Sequence, residues 1–346
     1  MACAAVFTLN KLYRTTMKRI LLMSMLAAAI MESHVFAGTD ILTKMTGLEY
    51  HEDWPPLYAG IHTTDDTNAE NAVVSIVQDL HGEDYSRCMV YGGYAEGAGD
   101  AVNNMIVMTG GAVGDLTGGC SIKGAATGNV VIMSGGMASA IYAGIAYDSA
   151  KALNNNSIHL VGTGYTGTVS GQDVTGSEIK IFSLYGASVS DVAYANNVHL
   201  YGNQVEVGLI EDTDSLIFHI TEALSGAGPM LTYTNEGKRG LSVGPEANIG
   251  ELMFDGSEVK DWTTFAGKSI TLIESECQIE GIDYSKQVEI TAENGAVVAI
   301  ATLELQNEGK SMVLSNIKGA EPIPEPTTGT LSLLALAVLA ARRRRK

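Results

Sequence analysis

His51-Glu52-Asp53-Trp54 places an imidazole and two carboxylates within three positions, a set able to hold a divalent cation. Pro55-Pro56 follows, so a surface loop accounts for the cluster equally well. Glu211-Asp212-x-Asp214 offers three carboxylates to Ca²⁺, but without the spaced Gly and distal Glu of an EF-hand loop. His159 and His199 fall at the same place in two copies of a repeat, which suits a metal pair or a pH switch. Outward positions on equivalent strands explain them with no chemistry. The expectation is therefore no catalytic, cofactor-binding or metal residue, with Ca²⁺ as the one ion that has a seat to test.

The nucleophile motif Gly-x-Ser-x-Gly is missing, and Gly92, Gly93, Gly97 and Gly99 lack the strand-to-helix setting of a phosphate cradle. Glycan cleavage is the enzymatic alternative. A glycosidase needs two carboxylates about 5–9.5 Å apart, and Asp or Glu on neighbouring repeats could supply them. A lyase acting on uronates also wants bases, and the repeat region has few: Arg87, Lys123, Lys151 and Lys180. No Asp or Glu row recurs across the repeats. The expectation is a non-catalytic protein, with a polysaccharide lyase or glycosidase as the alternative.

The elements that would position such residues are repeated. Asn104-Met-Ile-Val-Met-Thr-Gly110 recurs as Asn129-Val-Val-Ile-Met-Ser-Gly135, as Asn156-Ser-Ile-His-Leu-Val-Gly162 and as Asn196-Asn-Val-His-Leu-Tyr-Gly202. Weaker copies begin at Ser86, Ser177 and Asp214. Between them lies a second unit: Val90-Tyr-Gly-Gly93, Leu116-Thr-Gly-Gly119 and Ile141-Tyr-Ala-Gly144. Each unit reads as a short strand closed by a glycine turn. Alternation puts Ile158 and Leu160 inside and His159 outside. Stacked copies bury one continuous core, and asparagine can form ladders along the stack. The pattern predicts an all-β chain, a single elongated parallel β-solenoid over 85–220, with residues 38–84 as an N-terminal cap and 221–318 as a β-rich closing part. Strands are expected at 269–273, 287–291, 296–300 and 311–314, and a short helix or strand over Ala69–Leu80. Residues 319–326 read as a linker.

Composition agrees. Charged residues are 17% of the chain, hydrophobic residues 46%, and there are 39 glycines, which is a strand-and-turn mixture and not a disordered one. Residues 38–320 hold 12 Lys and Arg against 36 Asp and Glu, a net of −24. That charge repels nucleic acid and anionic membranes, so no nucleic-acid partner is expected. Cys3, Cys88, Cys120 and Cys277 form no C-x-x-C pair. Either Cys88 and Cys120 are bridged, or the body's three thiols fill core positions.

Both ends read as addresses. Met17–Gly38 has two bases (Lys18, Arg19), an apolar run from Ile20 to Ile30 and Val35-Phe36-Ala37 before a cut. That is the anatomy of a secretory signal peptide over 1–37, with Met17 an alternative start. It predicts Sec export and cleavage between Ala37 and Gly38. At the other end, Pro324-Glu325-Pro326 is a stiff breaker, Thr327–Ala341 an uncharged helix-former and Arg342–Lys346 a basic stop. Fifteen helical residues span roughly 22 Å, short of a ~30 Å hydrocarbon core, but the arginines extend the reach and hold the end in the cytoplasm. The segment can park the chain transiently in the inner membrane.

Pro324-Glu325-Pro326, the short helix and Arg342, Arg343, Arg344 and Arg345, in that order, resemble the PEP-CTERM sorting signal of Gram-negative bacteria. The resemblance implies an exosortase-like transpeptidase as partner, cleavage near the Pro-Glu-Pro, and passage to the cell surface, outer envelope or extracellular matrix. An uncut single-span anchor is the alternative. The alternating V-Y-G-G and N-N-x-I-x-L-x-G units of 85–220 resemble the β-helical passengers of autotransporters, although the membrane barrel that ends those proteins has no counterpart here. That resemblance implies an adhesion or structural role, with surface glycans or exopolysaccharide as the contact. Tyr91, Tyr94, Tyr142, Tyr147, Tyr165, Tyr185 and Tyr201 are candidates for an exposed aromatic row on the body.

Overall fold

The computed structural model describes residues 45–46, 49–51, 57–77, 88–148, 151–188, 192–224, 227–235, 240–245, 247–283 and 285–320. The signal segment, the sorting tail, Arg87 and most of the His51-Glu52-Asp53-Trp54 cluster lie outside them. The described residues are almost entirely strands and turns. Their helices are three single 3-10 turns, Glu222–Leu224, Trp262–Phe265 and Asn307–Gly309. None is long and apolar enough to cross a membrane. The all-β expectation holds.

The chain divides into two compact units, residues 1–158 with 180–196, and residues 159–179 with 197–346. In the first unit strands fall on three parallel tracks. Leu57–Thr63, Met89–Ala95, Ala112–Ser121 and Gly136–Tyr142 pair in succession on one. Ala69–Glu70, Ala101–Val102, Ala126–Thr127, Ala152–Asn154 and Val192–Tyr194 form the second. Val73–Ile76, Met105–Met108 and Val130–Met133 form the third. The chain visits the tracks in rotation, so each strand pairs with its counterpart one circuit later. Two antiparallel strands precede them: Met45–Thr46 against Val73–Ile76 and Glu49–His51 against Leu57–Thr63.

The register matches the repeats. Val90, Leu116 and Ile141 are cross-strand partners, and Met105 faces Val130. Val74, Ile106 and Val131 stack in register and are wholly buried, as are Ile76, Met108 and Met133, but Val107 and Ile132 between them are buried too, so both faces of those two strands are covered. Each such side chain contributes about 1.5–3 kcal/mol by leaving water. The Ala69–Leu80 stretch holds two short strands, Ala69–Glu70 and Val73–Ile76. Cys88, Cys120 and Cys277 are free thiols, the first two buried, so the bridged alternative is set aside in favour of core packing.

In the second unit Asn197–Tyr201, Thr213–His219 and Ile249–Asp255 pair in parallel. Val205–Val207, Leu231–Tyr233 and Ile270–Ser275 make a second parallel set. Ser285–Thr291, Val297–Gln306 and Ser311–Gly319 then switch to antiparallel pairing, and the last also runs antiparallel to Ile270–Ser275. The strands expected in this region all lie within or overlap these. One hairpin stands apart, Thr166–Val169 paired with Gln172–Thr175.

Candidate functional site

The chemistry-bearing side chains of the second unit converge because three strands are in register. Tyr201, His219 and Asp255 end their strands as direct cross-strand partners. The Asp255 carboxylate lies 2.8 Å from His219 Nδ1, and His219 Nε2 lies 3.0 Å from His199 Nδ1. In the neutral column His219 donates from Nδ1 to the carboxylate, so its Nε2 accepts from the Nδ1–H of His199. The rings stack as well. Centroids are 4.3 Å apart for His159 and His199, 5.3 Å for His199 and His219, and 3.9 Å for Tyr201 and His219.

The hairpin lies against His159 and Tyr201 of this column. His159 Nε2 is 3.2 Å from Ser170 Oγ at the hairpin tip, and His159 Nδ1 is 3.2 Å from the Tyr201 hydroxyl. Tyr165 packs its ring 4.9 Å from Tyr201 and donates its hydroxyl to Glu258 Oε1 at 2.6 Å. The expectation that His159 points outward to solvent is corrected. It lies on the face opposite Ile158 and Leu160, but that face is covered and His159 is 7% exposed. His199 is half-buried.

Burial sets the electrostatics. It lowers His159 to about 3, with the His219 charge adding to the effect. Burial and the two neighbouring imidazoles lower His199 to about 2. For Asp255 burial pushes the carboxyl up, but hydrogen bonds from His219 and Ser257 outweigh it and the group settles at about 2. Burial raises the Tyr165 and Tyr201 hydroxyls, Glu258 adding to the shift at Tyr165. The Ser170–His159 contact has the reach of a nucleophile and base. A histidine held near 3 is too weak a base to activate a serine at neutral pH.

A second cluster forms in the first unit. Tyr91 and Cys120 pack with Ala59 and Ile145, with Met89, Tyr94 and Tyr142 against them. Burial raises the Asp115 carboxyl to about 6 and the exposed-edged Tyr147 to about 12. Tyr142 and Tyr185 stack 4.8 Å apart and almost coplanar, at 5°. The candidate aromatic row is thus only partly outside. Tyr91, Tyr165 and Tyr201 are buried, Tyr94, Tyr142 and Tyr185 half-buried, and Tyr147 exposed.

Among the described residues no group of three or more His, Cys, Asp or Glu is arranged to hold a metal ion. Glu211 ends the strand Ile210–Glu211, Asp212 follows with φ 52°, and Asp214 enters the strand Thr213–His219. Sequence reasoning found His159 and His199 and missed His219 and Asp255. The signal was positional: aligning the strand ends puts Tyr201, His219 and Asp255 in one row.

Parallel tracks closed by glycine turns define an all-β chain whose address must be read from its tail. Residues 322–346 match the PEP-CTERM protein-sorting motif. The stretch contains Pro324, Glu325, Pro326 and the terminal arginines. It implies an exported protein, processed by the transpeptidase exosortase and directed to the cell envelope or surface. No curated protein and no solved structure matches the chain.

Proposed function

We propose that the chain is a non-catalytic β-solenoid presented at the cell surface or in the extracellular matrix, where it serves in adhesion or as a structural component. The match at residues 322–346 supports the export and surface part of this reading. Sec export removes residues 1–37 after Ala37. Thr327–Ala341 then holds the chain in the inner membrane until an exosortase-like enzyme cuts near Pro324-Glu325-Pro326. Rotation of strands over three tracks supports the solenoid. The antiparallel strands that precede the first unit's tracks and follow those of the second support capping, since they cover edges open to further pairing.

Adhesion rests on the exposed aromatic side chains Tyr147, Phe182 and Tyr194 together with the stacked pair Tyr142–Tyr185. Such faces suit the apolar faces of sugar rings. Binding of the purified protein to isolated surface polysaccharide, compared with Tyr142→Ala and Tyr147→Ala, tests the contact. Weaker binding by the variants supports adhesion through this face; no binding by the parent leaves the structural role. Asp115 favours a second reading, glycan cleavage, because a carboxyl held near 6 suits a general acid. Release of reducing ends in the same incubation would support it.

A further inference from the structure

The hairpin meets the imidazole column through side chains and not through strand pairing. It turns on Ser170 and Gly171, both left-handed with φ 46° and 79°, as a two-residue turn requires. It leaves the sheet through Gly164, φ 88°, where an added Cβ would lie 3.9 Å from Asn203 Nδ2. Its contacts with the column and its surroundings include the Ser170–His159 contact, the Tyr165–Glu258 hydrogen bond, the Tyr165–Tyr201 ring contact and the burial of Val169 and Val174, and at its base Gly176 packs against the Gly162 carbonyl. The strands beneath are joined instead by continuous in-register pairing.

A neutral imidazole has one donor and one acceptor, which suits the two hydroxyls that face His159. A protonated one has two donors and a charge. That charge would lie 4.3 Å from the His199 ring, which is itself bonded to His219. Asp255 sits at the far end of the column, on His219. The other titratable groups around the column are Tyr201 beneath it, Tyr165 from the hairpin and Glu258 from the turn after Ile249–Asp255. Asp173, on the second strand of the hairpin, accepts from Thr168 and is exposed.

We infer that this hairpin is an acid-released lid: protonation of His159 frees the segment Gly164–Gly176 and uncovers His159 and Tyr201 while the strands below stay paired. The closed lid holds His159 neutral, and the open lid returns it to water. His159 therefore multiplies the ratio of open to closed about tenfold for every pH unit below about 6.5.

Hydrogen exchange of the mature chain at pH 7.0 and pH 4.5, corrected for intrinsic rates, tests this. Peptides over Tyr165–Gly176 are expected to lose protection by about a hundredfold or more. Peptides over Asn197–Tyr201 and Thr213–His219 are expected to keep theirs, and return to pH 7.0 is expected to restore the hairpin. His159→Phe with His199→Phe keeps the stack without its protons and is expected to keep the lid closed at pH 4.5. Unchanged hairpin protection in the parent overturns the inference, as does loss of hairpin and strands together. Equal opening in the double variant overturns it too. Should that variant fail to fold, the parent's two profiles still decide.

Discussion

Asn104 donates its side-chain Nδ2–H to Oδ1 of Asn129 at 3.0 Å, across 25 residues of sequence. Asn129 repeats the contact to Asn156 at 3.0 Å, and Asn156 to Asn196 at 2.9 Å. Each Oδ1 also accepts a backbone N–H from the residue that donates to it, and each Nδ2 reaches a backbone carbonyl, from Ala69 to Leu153. All four asparagines are buried. The residue that opens each repeat is thus a hydrogen-bonded rung joining circuits of the chain.

Asn129→Ala should be among the costliest substitutions in the first unit. It removes the partner of Asn104 above, of Asn156 below and of the Ala101 carbonyl. Each buried group left unsatisfied costs about 1–3 kcal/mol. Chemical denaturation should show a loss of about 3 kcal/mol or more.

The glycines of the second repeated unit make room for these rungs. A Cβ on Gly93 would run into the Asn104 side chain, and one on Gly119 into that of Asn129. Gly119→Ala should destabilise by about 1–3 kcal/mol. Combined with Asn129→Ala, it should add much less than its own cost, because the obstructing group is gone. A double-mutant cycle measures the coupling.

Stability should fall with acid from the column and rise from Asp115, and the two can be separated. His159 and His199 are depressed in the folded chain, so their contribution is complete above about 6.5 and is lost as pH falls toward about 3 and about 2. Denaturation followed from pH 7.5 to 4.5 should show falling stability, and less so in His159→Phe. Asp115 is raised to about 6, so its charged form is disfavoured at neutral pH and the penalty disappears on acidification. Asp115→Asn should therefore stabilise by about 1–3 kcal/mol at pH 7.5 and lose that advantage by pH 4.

The strands were legible because their signal is local. The asparagine, the alternating apolar residues and the closing glycine recur at matched positions, and register follows from aligning them, as for Val90, Leu116 and Ile141. The covering of His159 was not legible. Alternation tells which face a side chain takes but not what folds over that face, and Thr166–Thr175 is itself a Gly- and Thr-rich strand pattern like its neighbours. The aromatic row failed in part for a related reason. Tyr91 sits on the side away from Val90, yet it is buried against Ala59, Cys120 and Ile145. The tail needed no packing argument, since its three parts lie in sequence order.

The sorting tail also makes a prediction in the cell. Pro324→Ala with Pro326→Ala should leave export across the inner membrane intact but stop release from it. Fractionation should find the variant in the membrane with its arginine end in place, where the parent has left.

The intact mass of the protein recovered from the native cell surface and medium tests the central claim most directly. A chain that begins at Gly38 and ends near Pro324 is the predicted product, showing removal of the leader and cleavage at the sorting motif. A chain that keeps Arg342–Lys346 would contradict it, because the tail would then be a permanent anchor.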